Sequence, residues 1–422
     1  MNLTHLLTTY QNRLWALGEQ IAISGLSFTL NFLLASIFSK QLFGEYSAIL
    51  IMQLLLLGLF QNIVILPLQV FWGQYRNGDF MPIVLLRRAY FVFIPITFLL
   101  TSVLIHHLRL TSTAQFSSRY YLVLPLGFIA TLTYELLRRY CLFANFKKQV
   151  CVISFMLFIW QVCIVVIFHN KQSVLYIFQL LSIGYFLFSI LLFILVLKDI
   201  KATNYQSQTD PSLATNYYKI VRWNTLIALL TWFAGNQLLV IASQKLGMEA
   251  LAELRLAQTI WGVFHIFLIV IENNLPSKLS EILQVKGPLF FTSYLKQTAI
   301  KLYFFLMVIA VAIMFFSPYI LNFFLAETYA QNASIIYQYA FQYFPIILAI
   351  PFRFYLMIKQ KNNVFFWGYL MNATLVFFIG DWLVASYQID GILYGFALLQ
   401  WLILIFYALM AYSIDVKTTR PM

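Results

Sequence analysis

Gln20, Ser24, Ser27 and Asn31 recur at steps of four, three and four in a stretch otherwise rich in Leu, Ile and Phe. That spacing puts them in one polar row on a helix. Thr225, Trp232, Asn236 and Ser243 form a second row at steps of seven, four and seven. Gln258, His265 and Glu272 form a third at steps of seven, with Trp261 on the same side. Rows of amides and hydroxyls among apolar residues either hydrogen-bond a polar solute in a hydrated cavity or let helices approach closely. Both readings stay open for the first row. His265, at mid-span, is either a proton carrier or a neutral ring bonded to a neighbouring helix. Ionised candidates are few. Glu19 sits about a turn inside its apolar run, and Glu135 precedes Arg138 and Arg139 by three and four residues, the spacing of a local ion pair. Asp381 and Arg353 have no partner nearby in sequence, which marks them as functional candidates.

The elements that hold these residues follow from composition. Of 422 residues, 62% are apolar and 10% charged, and mean hydropathy is +0.82. A soluble domain carries about 25% charged residues, so a soluble enzyme, a secreted disulfide scaffold and a disordered chain are excluded. Cys141, Cys151 and Cys163 are odd in number and lie in or beside apolar runs, which gives no disulfide framework and predicts buried thiols. Crossing a hydrocarbon layer of about 30 Å takes about 20 mostly apolar residues. Charge-free runs of that kind cover 20–39, 46–75, 89–108, 120–134, 149–170, 172–197, 223–244, 256–271, 302–326, 328–352, 362–380 and 391–414. The fourth continues to about Phe143 and the eighth to about Leu275. The expected fold is all-α: a polytopic membrane protein of twelve transmembrane helices, with its longest connections at Lys198–Tyr218 and Pro276–Gln297.

Basic residues orient the spans. With the N-terminus inside, 21 of the 27 Lys and Arg fall in inner segments, leaving only Lys40, Arg109, Arg119, Lys171, Lys245 and Arg255 outside. Both termini are therefore expected in the cytoplasm, and the net charge of +13 reads as topology rather than as a nucleic-acid surface. The first apolar segment, from about Trp15, follows no basic run and precedes no small-residue cleavage site, so it reads as a retained helix. The polar stretch in the middle of the chain divides it into an N-terminal six-helix bundle (1–200), a cytoplasmic linker (201–219) and a C-terminal six-helix bundle (220–422). An internal echo supports duplication: Glu45 and Pro67 are 22 residues apart, Glu253 and Pro276 are 23 apart, and each pair spans the second helix of its half. Parallel repeats of this kind suit a transporter whose halves rock about a central site. No phosphate-cradling glycine loop, metal-ligand spacing or nucleophile elbow is present, so neither catalysis, a cofactor nor a metal is expected.

Three segments carry a family resemblance: EQIAISGLSFTLNFLLASIFSKQLFGEYSAILIMQLLLLGLFQNIVILPL, YELLRRYCLFANFKKQ, and LAELRLAQTIWGVFHIFLIVIENNLPSKLSE with its Glu272, Asn273 and Pro276. They resemble the opening, the fourth helix with its basic turn, and the eighth helix of the polysaccharide-export (O-antigen and exopolysaccharide) flippases. That family shares a superfamily with the multidrug and toxic-compound extruders. One departure is Ala252-Glu253-Leu254, where relatives often carry a glycine before an aromatic. The resemblance implies two bundles forming a V that opens alternately to either side of a bacterial inner membrane. It implies transfer of an undecaprenyl-pyrophosphate-linked oligosaccharide from inner to outer leaflet for surface polysaccharide synthesis. Its partners would be that lipid-linked oligosaccharide, the surrounding membrane lipids, and a polysaccharide polymerase and glycosyltransferases.

On that reading Arg353, Arg255 and Arg138 would meet the phosphates, because a guanidinium fork matches them. Gln20, Ser24, Asn31, Trp232, Asn236 and Gln258 would line the sugar path, and Glu19, His265, Glu272 and Asp381 would be candidates for ion coupling. The alternative is a multidrug or metabolite antiporter of the same architecture, coupled to cations, whose cavity should be dominated by acids. A membrane polymerase or ligase would need a large outer catalytic loop, and the longest candidate, Ser317–Ser334, holds one acid, Glu327. The orientation is checked by reporter fusions. Green fluorescent protein fused after Met422 is expected to fluoresce, and alkaline phosphatase fused after Lys171 to be active.

Overall fold

The computed structural model describes residues 3–70, 72, 81–111, 117–171, 173–202, 211–329 and 333–419. Within the linker, 203–210 lie outside the described residues, as do Arg76 and Arg420 of the inner basic set. Every regular element among the described residues is helical. Eleven stretches are long and apolar enough to span a membrane, and the last, Asn363–Ile414, is broken at Gln388 (φ 53°). With that break the described residues form twelve membrane-length helices, a multi-pass membrane protein as its composition requires.

They are α1 (Leu3–Ile37), α2 (Lys40–Phe60, continued through a π-turn at Gln61–Ile65 and then Leu66–Val70), α3 (Met81–Thr111), α4 (Tyr120–Phe143), α5 (Lys147–Ile167) and α6 (Val174–Ala202). Then come α7 (Pro211–Lys245) and a helical stretch Met248–Tyr329 that breaks at Gly287 into α8 (248–286) and α9 (288–329). α10 runs Ala333–Tyr339 and Tyr343–Ile358 around a 3₁₀ turn at Ala340–Gln342. The stretch Asn362–Thr419 divides at Gln388 into α11 (362–387) and α12 (389–419).

The stretch Pro276–Gln297, expected as a connection, is instead helical on both sides of Gly287. Leu279 and Ile282 on α8, and Phe291, Leu295 and Ala299 on α9, are buried at helical spacing, while Lys278, Lys286 and Lys296 are exposed. A charge-free run cannot detect an amphipathic helix, whose charges belong on its outer face. The break itself is written in Lys286-Gly287-Pro288. Gly287 sits at φ 79° and ψ 174°, a region only glycine reaches readily, and Pro288 disfavours a helical residue before it. The expected outer loop Ser317–Ser334 is likewise helical up to a second break at Leu325 (φ −141°, ψ 21°), with a last short turn ending at Tyr329. Two tight turns end in left-handed residues, Asn145 (φ 66°) after α4 and Gln360 (φ 56°) after α10. In each, the next amide reaches back to close the helix: Phe146 N–H to the Cys141 carbonyl and Lys361 N–H to Leu356, both 2.9 Å.

The chain forms two compact units. One comprises 1–38 and 45–229, where α4 lies along α6 and α1 along α5. Its lower half of α7 is tied in by Tyr217, whose hydroxyl donates to the Ile63 carbonyl in the π-turn of α2 at 2.8 Å. The other comprises 39–44 and 230–422, where α10 packs on the α8–α9 stretch and on the α11–α12 stretch. Cys141 and Cys151 are buried, but Cys163 is exposed on α5, contrary to the expectation of three buried thiols. It shares the outer apolar side of α5 with exposed Ile159, Val166 and Ile167, a face suited to lipid.

In the second unit the start of α2 presses on the start of α8: a methyl added at Gly44 would fall 1.9 Å from the Met248 carbonyl oxygen. Gly44→Ala is therefore expected to cost about 1–3 kcal/mol through forced backbone displacement. The check is a lower thermal midpoint of the detergent-solubilised chain, while Gly25→Ala, whose added methyl meets nothing within 4 Å, leaves the midpoint unchanged or raises it.

Candidate functional site

In the first unit the deep charges are gathered at one place. Arg138 on α4 grips Glu135 one turn earlier with Nε and Nη2, at 2.8 and 2.7 Å, and donates Nη1 to Glu19 on α1. Arg139 adds Nε to Glu135 at 2.9 Å. The sequence indicates the Glu135 pair; its extension to Glu19 depends on tertiary structure. Two carboxylates and two guanidiniums balance, and the Glu19 and Arg138 side chains are only 3% and 4% exposed. Such a cluster is stable because each ion's lost hydration is replaced by bidentate, charge-assisted bonds. Arg138 thus donates to two carboxylates, one on its own helix and one on α1. Nearby, Tyr134 on α4 shares a 3.0 Å hydrogen bond with Ser154 on α5, and Tyr140 donates to Asp199 on α6 at 2.9 Å.

The polar row of α1 lies about a third of a turn from the buried Ala22, Leu26 and Leu30. Gln20 and Ser24 are half-buried and bonded to each other at 3.1 Å, Ser27 is exposed, and Asn31 is buried with its Oδ1 unbonded among the described residues. Most of the row therefore looks away from the packed core of its own unit.

In the second unit Arg255 and Gln258 on α8 are half-buried and joined at 3.1 Å. One turn further on, Trp261 stacks on Tyr343 of α10 (centroids 4.5 Å apart, planes at 18°) and donates its indole N–H to the Ile336 carbonyl at 3.0 Å. His265 is exposed on α8, its ring 5.6 Å from that of Tyr343. On α7, Trp232 is buried, and Asn236 is half-buried and donates Nδ2 to the Trp232 carbonyl at 3.2 Å. Arg353 and Asp381, isolated in sequence, both have partners. Arg353 Nη1 meets Glu272 at 2.9 Å, joining α10 to α8, and Lys245 at the end of α7 meets Asp381 of α11 at 3.0 Å. The reason is depth: each partner comes from another helix at the same level of the membrane.

The site residues are thus brought together as Glu19 with Arg138, Arg255 with Gln258, Arg353 with Glu272, and Trp232 with Asn236. The sequence reading did not assign roles to Lys245, Tyr343, or the Lys40–Glu253 pair (2.6 Å) that ties α2 to α8. The charge topology puts the members of each ion pair on the same expected side but does not single out which of them meet.

The exposed pairs are weak and reversible. Arg353 and Glu272 are 36% and 41% exposed, Lys245 and Asp381 37% and 66%, and pairs of this kind contribute about 0–1 kcal/mol. The α1–α4 cluster behaves differently: Arg138→Leu strands two buried carboxylates and is expected to cost about 3–5 kcal/mol. The result would be a loss of folded protein on fluorescence-detected size exclusion. Combining it with Glu19→Gln and Glu135→Gln is expected to restore most of the yield.

No protein-family model matches the chain, and no curated protein matches it in sequence. Solved structures do match over nearly its whole length. An inward-facing multidrug resistance MATE family transporter of the MOP superfamily superposes with a TM-score of 0.67 at 11% identity, covering 95% of this chain and 100% of the other. The Vibrio cholerae MATE transporter VcmN gives 0.63 at 13%, covering 97% of each chain. The lipid II flippase MurJ, in an inward closed conformation, gives 0.62 at 14%, covering 95% of this chain and 87% of the other. The chain therefore has the fold of MOP superfamily transporters.

Proposed function

We propose that the chain is a flippase of a bacterial inner membrane, carrying an undecaprenyl-pyrophosphate-linked oligosaccharide from the inner to the outer leaflet by alternating access. It would serve surface polysaccharide synthesis, with glycosyltransferases upstream and a polymerase downstream, and both its termini would be cytoplasmic. The observation that carries this reading is the neutralisation of deep acids. Glu19, Glu135, Glu272 and Asp381 each meet a cation, so none is left as a bare carboxylate to capture a cationic drug. A pyrophosphate head group makes the opposite demand. It needs guanidiniums that can exchange one anion for another, and Arg353, half-exposed and paired with Glu272, meets that demand. Arg255, with Gln258 beside it, supplies a second cation flanked by an amide suited to sugar hydroxyls. Glu272 is then the internal anion that occupies Arg353 between cycles, and His265, two turns away on the same helix, is a candidate proton carrier. The long apolar surfaces suit a polyprenyl tail that stays in lipid while its head group crosses.

The second reading is a cation-coupled multidrug or metabolite antiporter, favoured by the full-length likeness to MATE transporters. The two readings separate in proteoliposomes. The flippase reading expects transfer of a fluorescent polyprenyl-pyrophosphate oligosaccharide between leaflets and no ethidium efflux on a proton or sodium gradient; the converse result supports the antiporter. In cells, Arg353→Ala is expected to lower surface polysaccharide about tenfold or more at normal protein level, the loss of one charge-assisted contact. Unchanged export in that variant would remove Arg353 from the site.

A further inference from the structure

Away from all of these residues, the first unit holds a cavity of about 1110 Å³ between α2, α3, α4 and α6, larger than most small-molecule pockets. None of the sequence-derived site residues lines it. Its length is what sets it apart. The lining on α6 runs from Tyr176, through Ile183, Phe186 and Phe193, to Ile200. Those 24 residues rise about 36 Å, more than the whole ~30 Å hydrocarbon layer. On α4 it runs from Val123 through Ala130 and Thr133 to Tyr140, along a seam where Gly127 lets α6 press close, since a methyl added there would fall 2.4 Å from Phe178. The furrow is apolar along this course; midway, the Tyr90 hydroxyl is 2.5 Å from that of Thr133 and so is turned inward on its neighbour.

Arg87 of α3, the one cation among its described lining residues, lies at the end where α2, α4 and α6 contribute Leu68, Tyr140 and Ile200, the inner end by the charge topology. Arg87 is exposed and has no hydrogen-bond or ion-pair partner among the described residues, unlike the arginines discussed above. Asp199, the nearby acid on α6, is already occupied by Tyr140. A free guanidinium at the mouth of a long apolar furrow is complementary to an anionic lipid, with its phosphate on the arginine and its chain in the furrow. Chain length selects which lipid. A phospholipid acyl chain reaches about 15 Å, to the bilayer midplane, and would leave the outer half unfilled, whereas a polyprenyl chain runs through both leaflets.

We infer that the furrow between α4 and α6, closed at its inner mouth by Arg87, is a binding site for a long-chain polyprenyl phosphate lipid. It holds the carrier by both its phosphate and its tail before the head group crosses. The inference rests on the flippase reading and deepens it, by giving the tail a fixed track on the first unit.

The test uses the full chain in nanodiscs with two photoreactive probes, a polyprenyl phosphate and a phosphatidylglycerol, each carrying a benzophenone in its chain. The polyprenyl probe is expected to label peptides of α4 and α6. Arg87→Ala, which removes an exposed side chain, and Ala130→Trp, which fills the furrow, are each expected to reduce that labelling about tenfold, the loss of one charge-assisted contact or of comparable apolar burial. Thermal midpoints of both variants establish that they are folded. Equal labelling by phosphatidylglycerol, or labelling indifferent to both substitutions, would overturn the site in favour of bulk lipid. Polyprenyl labelling confined to other helices would also overturn it while leaving the flippase reading intact. No polyprenyl labelling at all, with ethidium bound instead, would remove both.

Discussion

A charge placed in hydrocarbon must bring its counter-charge with it, and this single constraint arranges most of what is chemically active in the chain. Placing an isolated ionised side chain at mid-bilayer costs about 2.5–3.5 kcal/mol on insertion scales. Glu19, Glu135, Arg138 and Arg139 avoid that cost by forming a closed neutral cluster that joins α1 to α4. The same rule recruits Lys245 for Asp381 and Glu272 for Arg353, each from a different helix. Ion pairs here also determine which helices lie side by side, since the partner must stand at the same depth.

Burial then divides these pairs by role. The Glu19–Arg138 contact is dry and its partners are held by several bonds, so it behaves as a fastening. The Arg353–Glu272 contact is partly exposed and lies two turns from an exposed histidine on α8, so Arg353 can exchange Glu272 for a solute anion. A polar substrate needs the second kind of pair, and its surroundings need the first kind to hold shape while it is traded. The aromatic stack of Trp261 on Tyr343, anchored through the indole N–H, gives α8 and α10 a similarly fixed join about three turns from that exchangeable pair.

Much of this was legible in the chain. Charge-free runs locate the twelve helices because desolvating an ion is the dominant cost, and that cost depends on composition alone. The Glu135–Arg138 pair was legible for the same reason that any three-residue step on a helix is. Partners drawn from distant helices were not: nothing in the neighbourhood of Arg353 names Glu272, 81 positions earlier. The stretch after Pro276 was misread as a connection because its lysines interrupt the apolar run, whereas Leu279, Ile282, Phe291 and Leu295 keep a helical period beneath them. The row on α1 was legible as a row, but not which way it turns, because direction is set by the packing of Ala22, Leu26 and Leu30 on the opposite side.

The break at Gly287 uncouples two helices that are otherwise one unbroken run of sequence. In a continuous helix each inserted residue rotates everything downstream by about 100°, so a single insertion would turn the lipid-facing surface of α9 into its core. With the helical path reset at Gly287, the azimuth of α9 is fixed by its own contacts and owes nothing to the length of α8. Insertions and deletions in the last turns of α8 can therefore accumulate over evolutionary time without disturbing the membrane-facing phase of the helix that follows.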